Sequence, residues 1–221
     1  MFDGEYYRSE FKDRMSSAES LLDATSVSPG DIPPLDVSRE TRGLIIVLLY
    51  AAYENLLTSL CRGLLEAAMK LRVGNHRLQP GLKLLAIQPK LKSMTDSPKN
   101  IWKTGATLVA TLSESRRCTV SPSIFPNDGT NFKRSQLITF CEVFGLGDPA
   151  PILREVWETL DAVVQQRNNV AHGLETPENV GRIYSEQELR TLIQNWSNRW
   201  TDFINWVESQ AVHRDFYRRP R

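Results

Sequence analysis

Residues 167–173, Arg-Asn-Asn-Val-Ala-His-Gly, bring a guanidinium, two carboxamides and an imidazole together in the chain's one compact cluster of catalytically useful groups. An imidazole, with an ordinary pKa of about 6.5, can give or take a proton near neutral pH. A guanidinium offers a rigid planar fork of donors that fits phosphate or carboxylate oxygens. The chemistry open to His172 and Arg167 is therefore proton transfer beside a bound anion. On an ideal helix each residue advances by about 100°, so Asn168 and His172 share a face while Arg167 and His172 diverge by about 140°. The length of the Arg167 side chain lets it curl back toward the imidazole.

The element that must position this cluster is an amphipathic helix beginning near Ile152. Leu153, Val156, Leu160 and Val164 form an apolar stripe, and Arg167 and Ala171 continue it. Arg167 thus faces the interior or an interface, where an unpaired charge is costly and a carboxylate or phosphate partner is expected. His172 falls in the last turn before Gly173, a C-cap residue, where the helix dipole favours a cation. Asp148-Pro149-Ala150-Pro151 supplies the N-terminal cap and early-helix prolines.

A second element carries a matching misfit. The spacing predicts a long helix over about 39–72, with Ser38 as N-cap and an inward stripe of Val47, Ala51, Glu54, Leu57 or Thr58, Cys61 and Leu65. Glu54 sits in that apolar row as Arg167 sits in its own, so the two are expected to pair across the helix interface. A purely structural ion pair and a role for Glu54 in orienting the site both remain open.

The remaining pattern is also helical. Tyr7, Phe11, Met15, Ala18 and Leu22 predict a helix over 5–24, and the prolines of 26–36 predict a loop. Residues 135–144 read as a short helix stopped by Gly145 and Gly147. A capping box at Ser185–Glu188 precedes a stripe of Leu189, Leu192, Ile193, Trp196, Trp200, Phe203, Ile204 and Val207, read as core or dimer interface. Arg214, Arg218, Arg219 and Arg221 form a basic tail. These elements predict a single all-α domain over 1–221, an up-and-down bundle of about five helices.

The formal net charge is only +1, but its distribution is uneven. Residues 74–134 hold ten Lys/Arg against three acids, a net +7 that leaves −6 for the rest. Broken by Pro80, Pro89, Pro98, Pro122 and Pro126, with one short helix near 101–112, this segment reads as an irregular basic insertion. With Trp102 and Phe125 interspersed, it can track an RNA backbone through Lys90, Lys92, Lys99, Lys103, Arg116 and Arg117. A solvated basic loop accounts for the same residues equally well.

Three scattered cysteines give neither a disulfide framework nor a thiolate metal site, and fit a reducing cytoplasm. No secretory signal is read at the N-terminus, the apolar run 44–53 is too short to span a bilayer, and Asn195-Trp196-Ser197 is read as a chance sequon.

The pattern Arg167-(four residues)-His172 resembles the R-x4-6-H motif of HEPN domains, with Asn168 after the arginine and the Ala-His-Gly ending strengthening the match. Tyr50-Ala51-Ala52-Tyr53-Glu54 resembles the branch of that superfamily found near RNA-repair ligases. Where some branches carry an acid one turn before the arginine, this chain has Val163. The resemblance implies a metal-independent endoribonuclease acting as a homodimer, the two motifs meeting in a shared cleft. RNA supplies its own nucleophile, the 2′-OH, so the reaction needs proton transfer from His172 and charge stabilisation by Arg167. Asn168 would orient the ring or hold phosphate, Glu54 and Asn169 would support them, and 2′,3′-cyclic phosphate and 5′-OH ends would result. It also implies a toxin-like or anti-phage effector, with an inhibitory partner protein or antitoxin a further expectation. The alternative is a non-catalytic HEPN-like module that binds RNA or protein.

Other chemistries lack their residues. There is no HExxH, P-loop or dinucleotide fingerprint, His76 and His213 stand alone, and no cofactor or metal is implied.

Overall fold

The computed structural model describes residues 2–25, 35–97, 99, 101–121 and 132–218. Ten α-helices carry them: α1 (Gly4–Thr25), α2 (Leu35–Lys70), α3 (Pro80–Asp96), α4 (Ile101–Leu112), α5 (Arg134–Phe144), α6 (Ala150–Leu153), α7 (Glu155–Ala171), α8 (Pro177–Gly181), α9 (Glu186–Ala211) and α10 (Arg214–Tyr217). A 3-10 turn, Asn75–Arg77, precedes α3. No strand occurs among the described residues beyond one isolated antiparallel bridge, Leu78 to Arg218. The all-α class is as expected. The helix count exceeds five because 74–134 contributes two helices and three short turns of helix join the longer ones. Phe125, Arg219, Arg221 and positions 26–34 of the expected loop lie outside the described residues.

The 36-residue α2 is the axis of the fold. It packs against α1, α7, α8 and α9, and its buried side chains include Ile45, Ile46, Leu49, Tyr50, Tyr53, Leu56, Leu57, Leu60, Cys61, Leu64 and Leu65. It begins earlier than the pattern predicts, so Ser38 lies inside the helix and not at its cap. Ala51, expected to face inward, is exposed. By length and composition the stretch Ser38–Lys70 could cross a membrane, more than the 44–53 run alone indicates. Its burial on several sides is that of a core helix.

Helix α1 lies along α2 and α9 and buries Phe11, Met15, Ala18 and Leu22 at alternating spacings of four and three. Its start is tied to α9, where Glu208 accepts from the Gly4 backbone N–H (2.8 Å) and pairs with Arg8. Helix α9 opens with the expected capping box: Ser185 Oγ accepts from Glu188 N, and Glu188 accepts from Ser185 N at 2.8 Å. Behind it Leu189, Ile193, Trp196, Trp200, Phe203, Ile204 and Val207 are all buried. Each aliphatic or Phe side chain so buried contributes about 1.5–3 kcal/mol. Tyr53 meets this row, 4.6 Å from Trp200 and 6.2 Å from Trp196 between ring centroids.

The segment expected to be irregular folds as an α3–α4 helical hairpin. Pro80 is tolerated because it occupies the first turn of α3, where its missing N–H costs nothing, and Pro89 lies within the helix. Leu82, Leu85 and Ala86 of α3 join the core, while α4 buries none of its residues. The hairpin packs chiefly on itself, the 3-10 turn and α5. Asn75 anchors its base, its side chain bonding Thr111 O, Thr119 Oγ1 and Thr119 N at 2.6–2.9 Å.

Candidate active site at the end of helix α7

The helix carrying the motif starts later than the pattern predicts. Arg154 adopts φ 44°, an uncommon conformation for a side-chain-bearing residue, and divides α6 from α7. Asp148 still caps the lead-in, its Oδ1 accepting from Ala150 N at 3.0 Å. Val156, Leu160, Val163, Val164 and Asn168 form the buried face of α7. Ala171, expected to extend that face, is exposed.

At the other end α7 stops in a Schellman arrangement. Gly173 takes φ 69°, and its N–H bonds Val170 O while the Leu174 N–H bonds Asn169 O. His172 is the capping residue itself, so its side chain leaves the helix at the terminus and is exposed. The imidazole makes no hydrogen bond or ion pair among the described residues.

Arg167 is held from three directions. Its guanidinium carbon lies 4.3 Å from the centre of the Tyr50 ring, its Nη1 donates to Asn168 Oδ1 at 3.0 Å, and its Nη2 is 3.8 Å from Glu54 Oε2. Tyr50 in turn donates to Glu54 Oε1 at 3.1 Å. Tyr50 and Glu54, one turn apart on α2, thus clasp an arginine of α7. The Arg167–Glu54 approach expected from two misfit charges is present, but at a distance longer than a hydrogen bond. Side-chain exposures of 27% for Arg167 and 39% for Glu54 place the pair at the rim, not in the core. Among the described residues Asn168 is the guanidinium's one hydrogen-bond partner, so most of its donors remain available. Burial, with the Glu54 charge adding to it, pushes the Tyr50 hydroxyl up to about 12, so the ring stays neutral.

The remaining motif residues divide. Asn168 is 7% exposed and its oxygen accepts from Arg167, and among the described residues no hydrogen bond joins it to the imidazole. Asn169 accepts from Gln165 Nε2 at 2.8 Å, and its carbonyl receives the Leu174 and Glu175 N–H groups. Tyr184, which the motif alone does not reveal, donates to Gln166 at 2.7 Å and accepts at its carbonyl from Arg42 of α2. Helix α8, directly after the motif, crosses α2 in close contact: a Cβ on Gly43 would stand 1.9 Å from Pro177 O, and one on Gly181 1.8 Å from Arg39 O.

The six basic residues predicted to track RNA sit elsewhere. Lys90 and Lys92 are on α3, Lys99 and Lys103 at and near the start of α4, and Arg116 and Arg117 beyond its end. The structure spreads them along the hairpin, the lysines in the half near its turn and Arg116 and Arg117 past the opposite end of α4, and the hairpin packs chiefly on itself, the 3-10 turn and α5. No three His, Cys, Asp or Glu side chains come together as a metal site would require, among the described residues. Comparison with protein-family models, with curated proteins and with solved structures gives no match.

Proposed function

We propose that the chain is an endoribonuclease of the HEPN kind, in which Arg167 and His172 cleave RNA by internal attack of the 2′-OH. The observation that carries this reading is a solvent-open imidazole at the end of the same helix whose arginine is pre-set by Tyr50, Glu54 and Asn168. A guanidinium fixed in this way keeps free donors for a phosphate and loses little freedom on engaging it. In the reaction the 2′-oxygen forms a bond to phosphorus as the bond from phosphorus to the 5′-oxygen breaks. A base takes the 2′-OH proton and an acid gives one to the leaving 5′-oxygen. The products are a 2′,3′-cyclic phosphate and a 5′-OH, with Arg167 neutralising the charge that builds on the phosphoryl oxygens.

One imidazole per chain serves these two proton transfers poorly, which favours a homodimer with two copies of His172 at one cleft. Exposed Leu44 (44%) and Leu48 (37%), with Ala51, run along α2 toward Glu54, and Leu174 beside the motif is 73% exposed. That strip supplies apolar surface for a second copy beside the site. A toxin-like or anti-phage effector, held by an inhibitory partner until needed, is the role consistent with this activity, and the cytoplasm is its expected location.

The free imidazole also favours a second reading. With no partner fixing its tautomer, His172 could serve a non-catalytic RNA- or protein-binding module. Incubation of purified protein with RNA in EDTA distinguishes the two. Cyclic-phosphate ends that disappear with His172→Ala support the enzyme, and RNA retained intact refutes it.

A further inference from the structure

Helix α4 leaves an indole almost entirely in water. Trp102 is 89% exposed, and Ile101 (47%) and Val109 (62%) stand out beside it, while no residue of the helix is buried. A tryptophan normally covers most of its surface in a core or an interface. Four of the five tryptophans do so: Trp196 and Trp200 are fully buried and Trp157 and Trp206 partly so. On the helical wheel Trp102, Ala106, Val109 and Ala110 share the face turned away from α3, and all four are exposed.

The charge around the indole is equally distinctive. Residues 97–100 separate α3 from α4, and the two helices pack on each other, so they run antiparallel and the last turns of α3 lie beside the first turns of α4. Lys90 and Lys92 of α3, with Lys99 and Lys103 at the start of α4, therefore all belong to the half of the hairpin that carries Trp102, with Asp96 the one acid among residues 90–103. Among the described residues none of these lysines has an ion-pair partner, whereas Arg8, Arg134, Arg190 and Arg199 all have one. A bare aromatic face amid unneutralised cations fits a ligand with both planar rings and a chain of negative charge.

We infer that the tip of the α3–α4 hairpin is a docking site for single-stranded RNA, with Trp102 stacking on a base and Lys90, Lys92, Lys99 and Lys103 meeting phosphates. The choice of RNA rests on the ribonuclease reading above; the site itself shares no residue with the Arg167–His172 motif. A lipid bilayer is the competing partner. Beyond the indole the exposed apolar side chains of α4 are Ile101, Val109 and two alanines, and no Leu or Phe joins them, which gives little apolar depth for insertion. An indole face suits sequence-tolerant stacking, and spaced lysines suit a phosphate backbone.

The test uses the full chain and a fluorescent 2′-O-methyl oligouridine of about twelve nucleotides, which cannot be cleaved by 2′-OH attack and lies within the usual site sizes. Binding is expected to quench tryptophan emission. Trp102→Ala should weaken binding roughly 5- to 150-fold, the equivalent of ~1–3 kcal/mol for one stacked base, and Trp102→Phe should restore part of it. Replacing all four lysines by Gln should flatten the slope of log affinity against log salt by about 3. Unchanged helical circular dichroism is expected for each variant because the altered side chains lie at the surface. Trp102→Ala binding within twofold of the parent overturns the proposal, as does an unchanged salt slope, or binding to phosphatidylglycerol vesicles with none to the oligonucleotide. Cleavage of ordinary RNA, scored with His172→Ala, is read separately. Its absence refutes the enzyme and leaves Trp102-dependent binding standing, and the converse result refutes the docking site alone.

Discussion

The Arg167 guanidinium carbon lies 4.3 Å from the centre of the Tyr50 ring, while the nearer Glu54 oxygen is 3.8 Å from Nη2. The arginine is therefore seated on an aromatic face with a carboxylate at its edge, and it is not locked in a short ion pair. Such a seat fixes direction while leaving charge available to an incoming anion. Replacing the ring by Leu (Tyr50→Leu) should lower activity on RNA, measured at a temperature where the variant is still folded because the buried ring also supports the core. Cation–π contact over the face of this buried ring is worth about 0.5–2 kcal/mol, so a fall in cleavage rate of about twofold to about 30-fold is expected. Arg167→Lys keeps the charge and loses the planar fork, and should fall further still. Single-turnover kinetics on a short RNA measures both.

Glu54 and Arg167 should couple only weakly. At 3.8 Å, with both side chains partly exposed, a double-mutant cycle of Glu54→Gln and Arg167→Gln in urea unfolding is expected to give less than about 1 kcal/mol. A coupling of ~3 kcal/mol or more would identify a desolvated structural pair, and with it a different purpose for the arginine.

His172→Ala should change stability by no more than about 0.5 kcal/mol, because the imidazole is exposed and has no partner among the described residues. Loss of cleavage at unchanged thermal midpoint then isolates its chemistry from folding.

Tyr53 carries a buried hydroxyl with no hydrogen-bond partner among the described residues, as do the indole nitrogens of Trp196 and Trp200. Burial holds the Tyr53 hydroxyl well above its ordinary range, fully protonated. Tyr53→Phe keeps the ring packing and removes the unpartnered group, so stability should stay equal or rise by about 1 kcal/mol. A loss of more than about 1 kcal/mol in denaturant titration would reveal an ordered water bonded there.

Acid should loosen the attachment of α1 to α9. Hydrogen bonding from Arg8 holds the Glu208 carboxyl below its usual range, with the Gly4 N–H adding to it against the opposing effect of burial. The unfolded chain then binds the proton more readily, so stability rises with pH through this window. The contribution is complete above the ordinary carboxylate pKa of about 4.3 and is lost as pH falls through the lower folded value. Arg8→Gln should flatten this acid limb in a series of thermal melts.

Much of the fold is legible from periodicity. The α1 and α9 stripes, the Ser185–Glu188 box and the glycine stop after Phe144 depend on neighbours a few residues apart, which sequence spacing records directly. Helix α3 is hidden because Pro80 and Pro89 read as breaks, although one sits where a proline is harmless. The early start of α2 and the break at Arg154 are equally hidden, because both depend on surroundings more than on spacing. At the site, two charges stranded in apolar rows point to the Glu54–Arg167 approach. Tyr50 is overlooked as a seat for the guanidinium because an aromatic in an apolar run reads as core, although its spacing of four from Glu54 is a usable signal. The contact of the buried Asn168 with Arg167 is not legible either, because it joins adjacent residues that a helical wheel sets about 100° apart.

The crossing of α2 by α8 leaves no room for a side chain at Gly43 or at Gly181, so main-chain atoms meet directly at those two points. The polypeptide leaving Gly173 is thereby moored within a few residues to the helix that bears Tyr50 and Glu54. His172 therefore projects from a main chain fixed to the same helix that seats Arg167, and only its own two side-chain torsions stand between the imidazole and that shared base.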